Sequence, residues 1–556
     1  MARRRAAAAP AFDHPELLTR AEHSRWTETS RHAEVEAFCG VLAARSRRVR
    51  LLSMGRSGEG RDMPVLVLSA GGASTPEAAR RAGRAIVLVQ ANIHAGEVEG
   101  KESVLMLARE LALAPREPAI LRRLTLVLVP DFNPDGNDRV STANRALDLS
   151  RLEGQIGPPG GVGIRYTGAG WNLNRDHVKH DAVEMRNMAR LNAAWDPHLF
   201  VDCHTTDGSI HGYDLTFDTA HNPLSGHPAP IALLRDGILP EVARRLRSRA
   251  GIHATFYGNF VDEARPEAGW MTYPALPRFG SHYRGLRGRG DVLLETYSYI
   301  DFERRCRAML ETLRELLAVA AARSRALRDA CARADRETAA AGDDPRSGDL
   351  VGVDYGVARR GDDGALLFDY PAHDDGAIRI RSVDRRSLKA RRLPGTRGVR
   401  RATYRCRYLR RFVPTASVQR PWGWIVPADL APRLEGHGVR FEECRLRGPL
   451  EAEVSLVAAI ERTRSPDVTG PTGPAGGAGV GEGATRWETV LTVRRERRTL
   501  APPAGSLLVR AAQPLGNLAL HLLEPESDDG FARWGFLDDR IRAGEPFPVL
   551  RLPRPL

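Results

Sequence analysis

At 556 residues and 42% hydrophobic composition, the chain is long enough to bury at least one full core and to form two or more domains, and no apolar run approaches the ~18–20 residues of a membrane helix. Its net charge of +13 is almost wholly arginine, with Lys101, Lys179 and Lys389 the only lysines. In so Ala-, Gly- and Pro-rich a sequence this reads as compositional bias, and the dense run Arg391–Arg411 carries no recognisable nucleic-acid module. Six cysteines at 39, 203, 306, 331, 406 and 444 show no paired spacing, which excludes a disulfide framework and a Cys-based metal site.

Residues 1–19 read as a flexible N-terminus. Three arginines before four alanines lack the ~7–15-residue apolar core of an export signal, so a cytoplasmic protein is expected, with export left open. Over 20–341, β-type runs at Ala85–Val89, Leu124–Val129 and Leu199–Val201 alternate with helical patterns at Ser103–Leu113 and Asp181–Trp195. That order predicts an α/β domain with a mixed, mostly parallel twisted sheet flanked by helices. A single helix over 302–341 closes it, and 342–350 reads as a linker.

Beyond the linker, alternating runs such as Ala377–Arg381 and Thr489–Val493 predict a smaller β-rich C-terminal accessory domain over 351–556. Within it, a Gly-, Pro- and Thr-rich stretch predicts a disordered loop over 463–486. The acidic segment Leu522–Gly530 fits no calcium loop. It reads as a solvated helix start, with a place over a cleft as its other use.

In sheets of this kind, active residues gather at the carboxyl ends of strands. Polar clusters stand at four such ends here: His94 after Ala85–Asn92, Asn133-Pro-Asp-Gly136 after Leu124–Val129, His204 after Leu199–Cys203, and Glu295 after Val292–Leu294. His94 and Glu97, three residues apart just past a strand, can meet one ion, and His204 supplies a second nitrogen. Two His and one Glu with an open fourth position is a catalytic zinc set, since structural zinc sites close with four protein ligands.

In order, His94-x-x-Glu97, Asn133-Pro-Asp-Gly136, Asn174-Arg175, His204 and Glu295 resemble the zinc metallocarboxypeptidase family, together with the turn Gly55–Arg61, over roughly residues 20–325. The resemblance implies one zinc ion per chain on His94, Glu97 and His204. It makes Glu295 the general base for the attacking water, and Asn174 and Arg175 the grip on the substrate's terminal carboxylate. It further implies a carbonyl-polarising arginine, Arg145 or its rival Arg151, and a substrate-facing tyrosine, Tyr273 or its rival Tyr283. Three departures point to a bacterial-type subgroup with its own substrate: Gly96 where digestive members carry an arginine, Asn172 where a carboxylate commonly orients the first histidine, and Thr205–Gly208 after the last ligand. The implied activity is hydrolysis of the C-terminal peptide bond of a peptide or peptide-like substrate with a free carboxylate, without nucleic-acid or membrane partners. The alternatives are a zinc amidohydrolase deacylating a small N-acyl amino acid and a catalytically silent peptide-binding protein. Oligomeric state is not legible.

Overall fold

The computed structural model describes residues 14–263, 265, 268–346, 348–358, 368–369, 378–382, 400–404, 407–445, 448–465 and 487–555. An eight-stranded sheet forms its centre. In chain order the strands are β1 (Val49–Arg56), β2 (Asp62–Leu68), β3 (Ala85–Ala91), β4 (Leu124–Val129), β5 (Leu199–Thr205), β6 (Leu215–Asp218), β7 (Ala254–Phe256) and β8 (Gly290–Thr296). Their order across the sheet is β1-β2-β4-β3-β5-β8-β6-β7. The central strands β4, β3, β5 and β8 run parallel, while β1–β2, β2–β4 and β8–β6 pair antiparallel.

The central strands are buried on both faces, so they read as continuous apolar runs, and successive residues feed opposite cores. Val87, Val89, Leu126, Leu128, Val201 and Leu294 pack with helices α1 (His32–Arg45) and α2 (Glu99–Leu113). Ile86, Leu88, Val127, Val129 and Phe200 pack on the other side against Met185, Met188 and Trp195 of α3 (Val183–Trp195). Because Phe200 faces α3, so do Asp202 and His204. This alternation decides which side carries the chemistry.

The helix expected over 302–341 is two helices, α6 (Phe302–Ala322) and α7 (Ser324–Asp343), introduced after α4 (Leu239–Ala250) and the short α5 (Gly280–Leu286). Arg323 breaks it, with φ −105° and ψ 18°, while its guanidinium bonds Glu241 at 2.6 Å. Gly342, expected in the linker, lies inside α7. A Cβ there would sit 2.2 Å from the Ala511 backbone, so this glycine permits a helix–backbone contact. The described connection is correspondingly short, since a strand begins again at Leu350.

The C-terminal half is β-rich, with a six-stranded sheet built on the long hairpin Leu450–Arg464 and Trp487–Leu500. The strand runs through Thr463 and Arg464, where the loop was expected to begin, and residues 466–486 lie outside those described. The segment read as a helix start instead follows a helix, α8 (Gly516–Leu523). Three of its four acids are buried and paired: Glu524 with Arg551 (2.6 Å), Asp528 with His521 (2.8 Å) and Asp529 with Arg278 (3.1 Å). Val178, Tyr283 and Leu286 share one apolar cluster with Val351, Trp424, Leu520, Phe531 and Trp534, so the two halves have a common core. Among the described residues no helix is long and apolar enough to cross a membrane, and Cys39, Cys203, Cys306, Cys331 and Cys444 are free.

Candidate metal centre and substrate cleft

Strand ends and tight turns bring the site together. After β3 the chain turns so that the Glu97 amide donates to the His94 carbonyl at 2.9 Å, setting both side chains on one side before α2 starts. His204 comes from the last turn of β5, and parallel pairing with β8 places Glu295 directly beside it. The Asn133-Pro-Asp-Gly136 turn is architectural. Asn133 caps the Gly136 amide at 3.0 Å, and Asp135 accepts from Ser57 (2.6 Å), the Glu59 amide (2.9 Å) and Arg61 (2.7 Å), which explains why the 55–61 turn belongs to the same pattern.

His94 Nδ1 and His204 Nδ1 lie 3.2 Å apart, each 3.0 Å from a Glu97 carboxylate oxygen. The donor atoms of all three residues fall within 4.8 Å of one another, and all three residues are buried. An oxygen stands near each of the other ring nitrogens: Asn172 Oδ1 is 3.3 Å from His94 Nε2, and Asp202 Oδ2 is 3.2 Å from His204 Nε2. With N–H on each Nε2, two lone pairs and a carboxylate face one point away from water. That is the donor set of a bound divalent cation and an unfavourable arrangement without one.

The charges are strongly coupled. Burial, helped by Arg165, pushes the His94 pKa down to about 3. Burial opposes ionisation of His204 as well, yet Asp202 and then Glu97 hold it well above the ordinary histidine range. Glu97 goes the other way: against burial, His94, Arg145 and His204 keep its carboxylate ionised. Burial pushes Glu295 up to about 8, and the nearby carboxylates of Glu97 and Asp207 add to this against His204 and Arg145. Arg289, six residues before Glu295, is paired elsewhere, with Asp196 (2.8 Å) and Asp335 (2.7 Å).

His94, Glu97 and Glu295 line one cavity of ≈ 180 Å³ with Asn174, Arg175, Tyr273, Phe279, Ser281 and Leu293. The Arg175 guanidinium stands 4.3 Å over the Phe279 ring, and its Nη1 donates to the Asn174 carbonyl at 2.9 Å. Tyr273 reaches the cavity and donates to Ser281 at 2.9 Å. Tyr283 does not; its hydroxyl meets His437 Nδ1 at 2.8 Å in the shared core.

The two arginines of the sequence reading are placed differently from the expectation. Arg151 pairs with exposed Glu153 at 3.8 Å. Arg145, at φ +48°, lies behind Glu97, bonded to it at 3.1 Å, to Gln155 at 3.0 Å and to the Thr206 carbonyl at 3.0 Å. Besides Arg175, the guanidinium that lines the cavity is Arg165, whose Nη1 bonds Glu97 at 3.1 Å, with its side chain 31% exposed against 12% for Arg145. Gly96 fits the same picture, because a Cβ there would meet Arg145 Cδ at 2.8 Å and the Gly163 carbonyl at 3.0 Å. Tyr257 was also not read from sequence. It lines the cavity, and burial followed by the Glu295 charge raises its hydroxyl pKa. No motif marks Arg165 or Tyr257, whereas Asp202 was reachable from the two-residue alternation ending in His204.

Residues 35–214 match the family model described as zinc carboxypeptidase. Carboxypeptidase 2 of Trichophyton rubrum is 23% identical over 567 residues, spanning 98% of this chain and 90% of that protein. Carboxypeptidase D of Mus musculus is 37% identical over 139 residues, covering 23% of this chain and 10% of that one. A solved metallo-carboxypeptidase from Burkholderia cenocepacia superposes with a TM-score of 0.37 at 18% identity, over 52% of this chain and 68% of that one. With the sheet and the ordered motifs already in place, the chain contains a zinc carboxypeptidase domain over residues 35–214 and is a hydrolase of the metallocarboxypeptidase kind.

Proposed function

We propose that this protein removes the C-terminal residue of a peptide bearing a free carboxylate, with one zinc ion held by His94, Glu97 and His204. The observation that carries the reading is a single cavity lined by His94 and Glu97, with buried His204 beside it, by the carboxylate of Glu295 and by the guanidinium of Arg175. Bound there, zinc supplies Lewis acidity, polarising the scissile carbonyl and making water acidic enough for a carboxylate to deprotonate. Glu295 accepts the proton of the attacking water and passes it to the departing amine nitrogen. Arg175 and Asn174 hold the terminal carboxylate, so that the bond next to it lies over Glu295. Arg165 stands where negative charge grows on the carbonyl oxygen, taking the role the sequence assigned to Arg145, which instead holds Glu97 in place. Tyr257 and Tyr273 close the cavity and limit water.

The direct test is to incubate the protein, with and without a chelator, with free and C-terminally amidated peptides and N-acyl amino acids, and to read products by mass spectrometry. Chelator-sensitive loss of one residue from free peptides is the expected result. Turnover of acyl-amino acids alone, or no turnover, overturns the reading.

Two further outcomes follow. Arg165→Ala lowers kcat/KM by about 10²–10³-fold, the usual cost of removing an oxyanion donor, at unchanged zinc content. Arg145→Ala chiefly weakens zinc retention. If steady-state kinetics with metal analysis give the reverse pattern, the roles are exchanged. Zinc binding at pH 7 also releases protons. In the metal-free site, against burial, Asp202 and Glu97 hold His204 above its ordinary pKa, and burial holds Glu295 at about 8; an arriving dication opposes the protonated form of both. Calorimetry in buffers of different ionisation enthalpy reads the number, and a value near zero rejects this account.

A further inference from the structure

The carboxylate grip is built from both halves of the chain. Arg175 stacks on Phe279, and each member of that pair is fixed by a buried neighbour. Arg278, next to Phe279, gives its backbone amide and its Nε (3.1 Å) to Asp529, and its Nη1 to Glu488 at 2.8 Å. On the other side, the Arg175 carbonyl accepts from the Lys179 ammonium. One indole sits against both cations: the Trp534 ring centroid is 3.8 Å from Lys179 Nζ and 4.5 Å from the Arg278 guanidinium carbon, while its Nε1 donates to Asp529 at 2.8 Å. Trp534, Asp529, Arg278 and Lys179 are all buried.

A buried ammonium and a buried guanidinium need compensation, and here a shared aromatic face contributes to both, with Asp529 and Glu488 paired to the guanidinium. The geometry therefore couples the placement of Arg175 and Phe279 to two residues more than 350 positions after the first and at least 250 after the second. We propose that Trp534 and Asp529 are positioning residues for the substrate's terminal carboxylate, acting through Lys179 on Arg175 and through Arg278 on Phe279. This rests on the carboxylate role given to Arg175 above. Neither residue touches Glu295 or the metal ligands, so their effect falls on substrate binding and leaves the proton transfer intact.

The test uses the full-length, zinc-loaded protein and the free-carboxylate peptide that the library identifies as cleaved. Asp529→Asn and Trp534→Leu are expected to raise KM about ten- to a hundredfold with kcat within about twofold, in line with the cost of misplacing a substrate-holding group. Trp534→Phe keeps a ring face and restores most of the loss. Should Asp529→Asn fail to fold, Arg278→Lys, which retains charge but gives up the paired donors, replaces it with the same expected split. Arg175→Ala is measured alongside. If it leaves KM unchanged, the carboxylate role of Arg175 fails. If it raises KM but the Asp529, Trp534 and Arg278 variants do not, or if those variants lower kcat instead, the positioning role alone is overturned.

Discussion

Glu295→Gln will lower kcat by about 10²–10⁴-fold, the range a positioned general base contributes, while zinc content stays at one per chain. The substitution is isosteric at a strand-end side chain lining the cavity, and the amide cannot take up a proton, so the loss isolates proton transfer from geometry. The pH profile carries a second signature. In the metal-free site burial and the neighbouring carboxylates raise this pKa to about 8, and a dication beside it lowers the value. Since the base works only when ionised, kcat/KM rises with pH through an apparent pKa below 8, and Glu295→Gln abolishes that limb. The sign for stability is opposite. A carboxyl with a raised native pKa favours the folded state below its unfolded pKa, and this contribution is lost as pH rises through about 8. Zinc therefore protects more at pH 8 than at pH 6 in a thermal melt. Activity within tenfold of the parent, measured at equal zinc loading, would sink the assignment of Glu295 as base.

Glu97→Gln is expected to reduce zinc affinity by several orders of magnitude and turnover to background. The carboxylate is the only anionic donor of the three and meets Arg145, Arg165 and the Thr205 amide at 3.1 Å each. A glutamine amide retains one acceptor oxygen and turns an NH₂ toward donors, at a cost of ~1–3 kcal/mol for the unsatisfied group. The decisive measurement is competitive zinc titration against a chelating dye, with circular dichroism to confirm the fold. By contrast Asp202→Asn and Asn172→Ala, which touch the rings from behind, should cost about 10–100-fold in affinity. Equal losses at all three positions would mean that Glu97 is not a ligand but a structural carboxylate.

The site was most legible where regular structure delivers it. His94, His204 and Glu295 were readable because a run of buried β-residues fixes where each strand stops, and parallel pairing then aligns those stops. Arg165 and Tyr257 escaped because they come from irregular backbone. The loop between Asp138 and Val183 holds isolated bridges, such as Ser141 with Val162, and one short 3-10 turn at Leu173–Arg175. No period predicts which of Arg139, Arg145, Arg151 and Arg165 turns inward; packing decides it, because Arg145 occupies the space that Gly96 leaves. Helix periodicity likewise ran straight through Arg323, since both α6 and α7 are amphipathic and the break lies in how α7 meets residues of the C-terminal half. The buried acids of 524–529 misled for a related reason. Charge in sequence reads as exposure, and only the partners Arg551, Arg278 and His521, distant in the chain for the first two, reverse that.

The apolar cluster that joins Val178, Tyr283 and Leu286 to Trp424, Leu520 and Phe531 makes the later half of the chain something other than an attachment. Cutting the gene at the end of α7 would leave a raw hydrophobic wound on the catalytic half, and the two halves should melt in a single cooperative step. Such a protein cannot gain or shed its second half by simple shuffling. Changes on either side of the seam must be accommodated by the other.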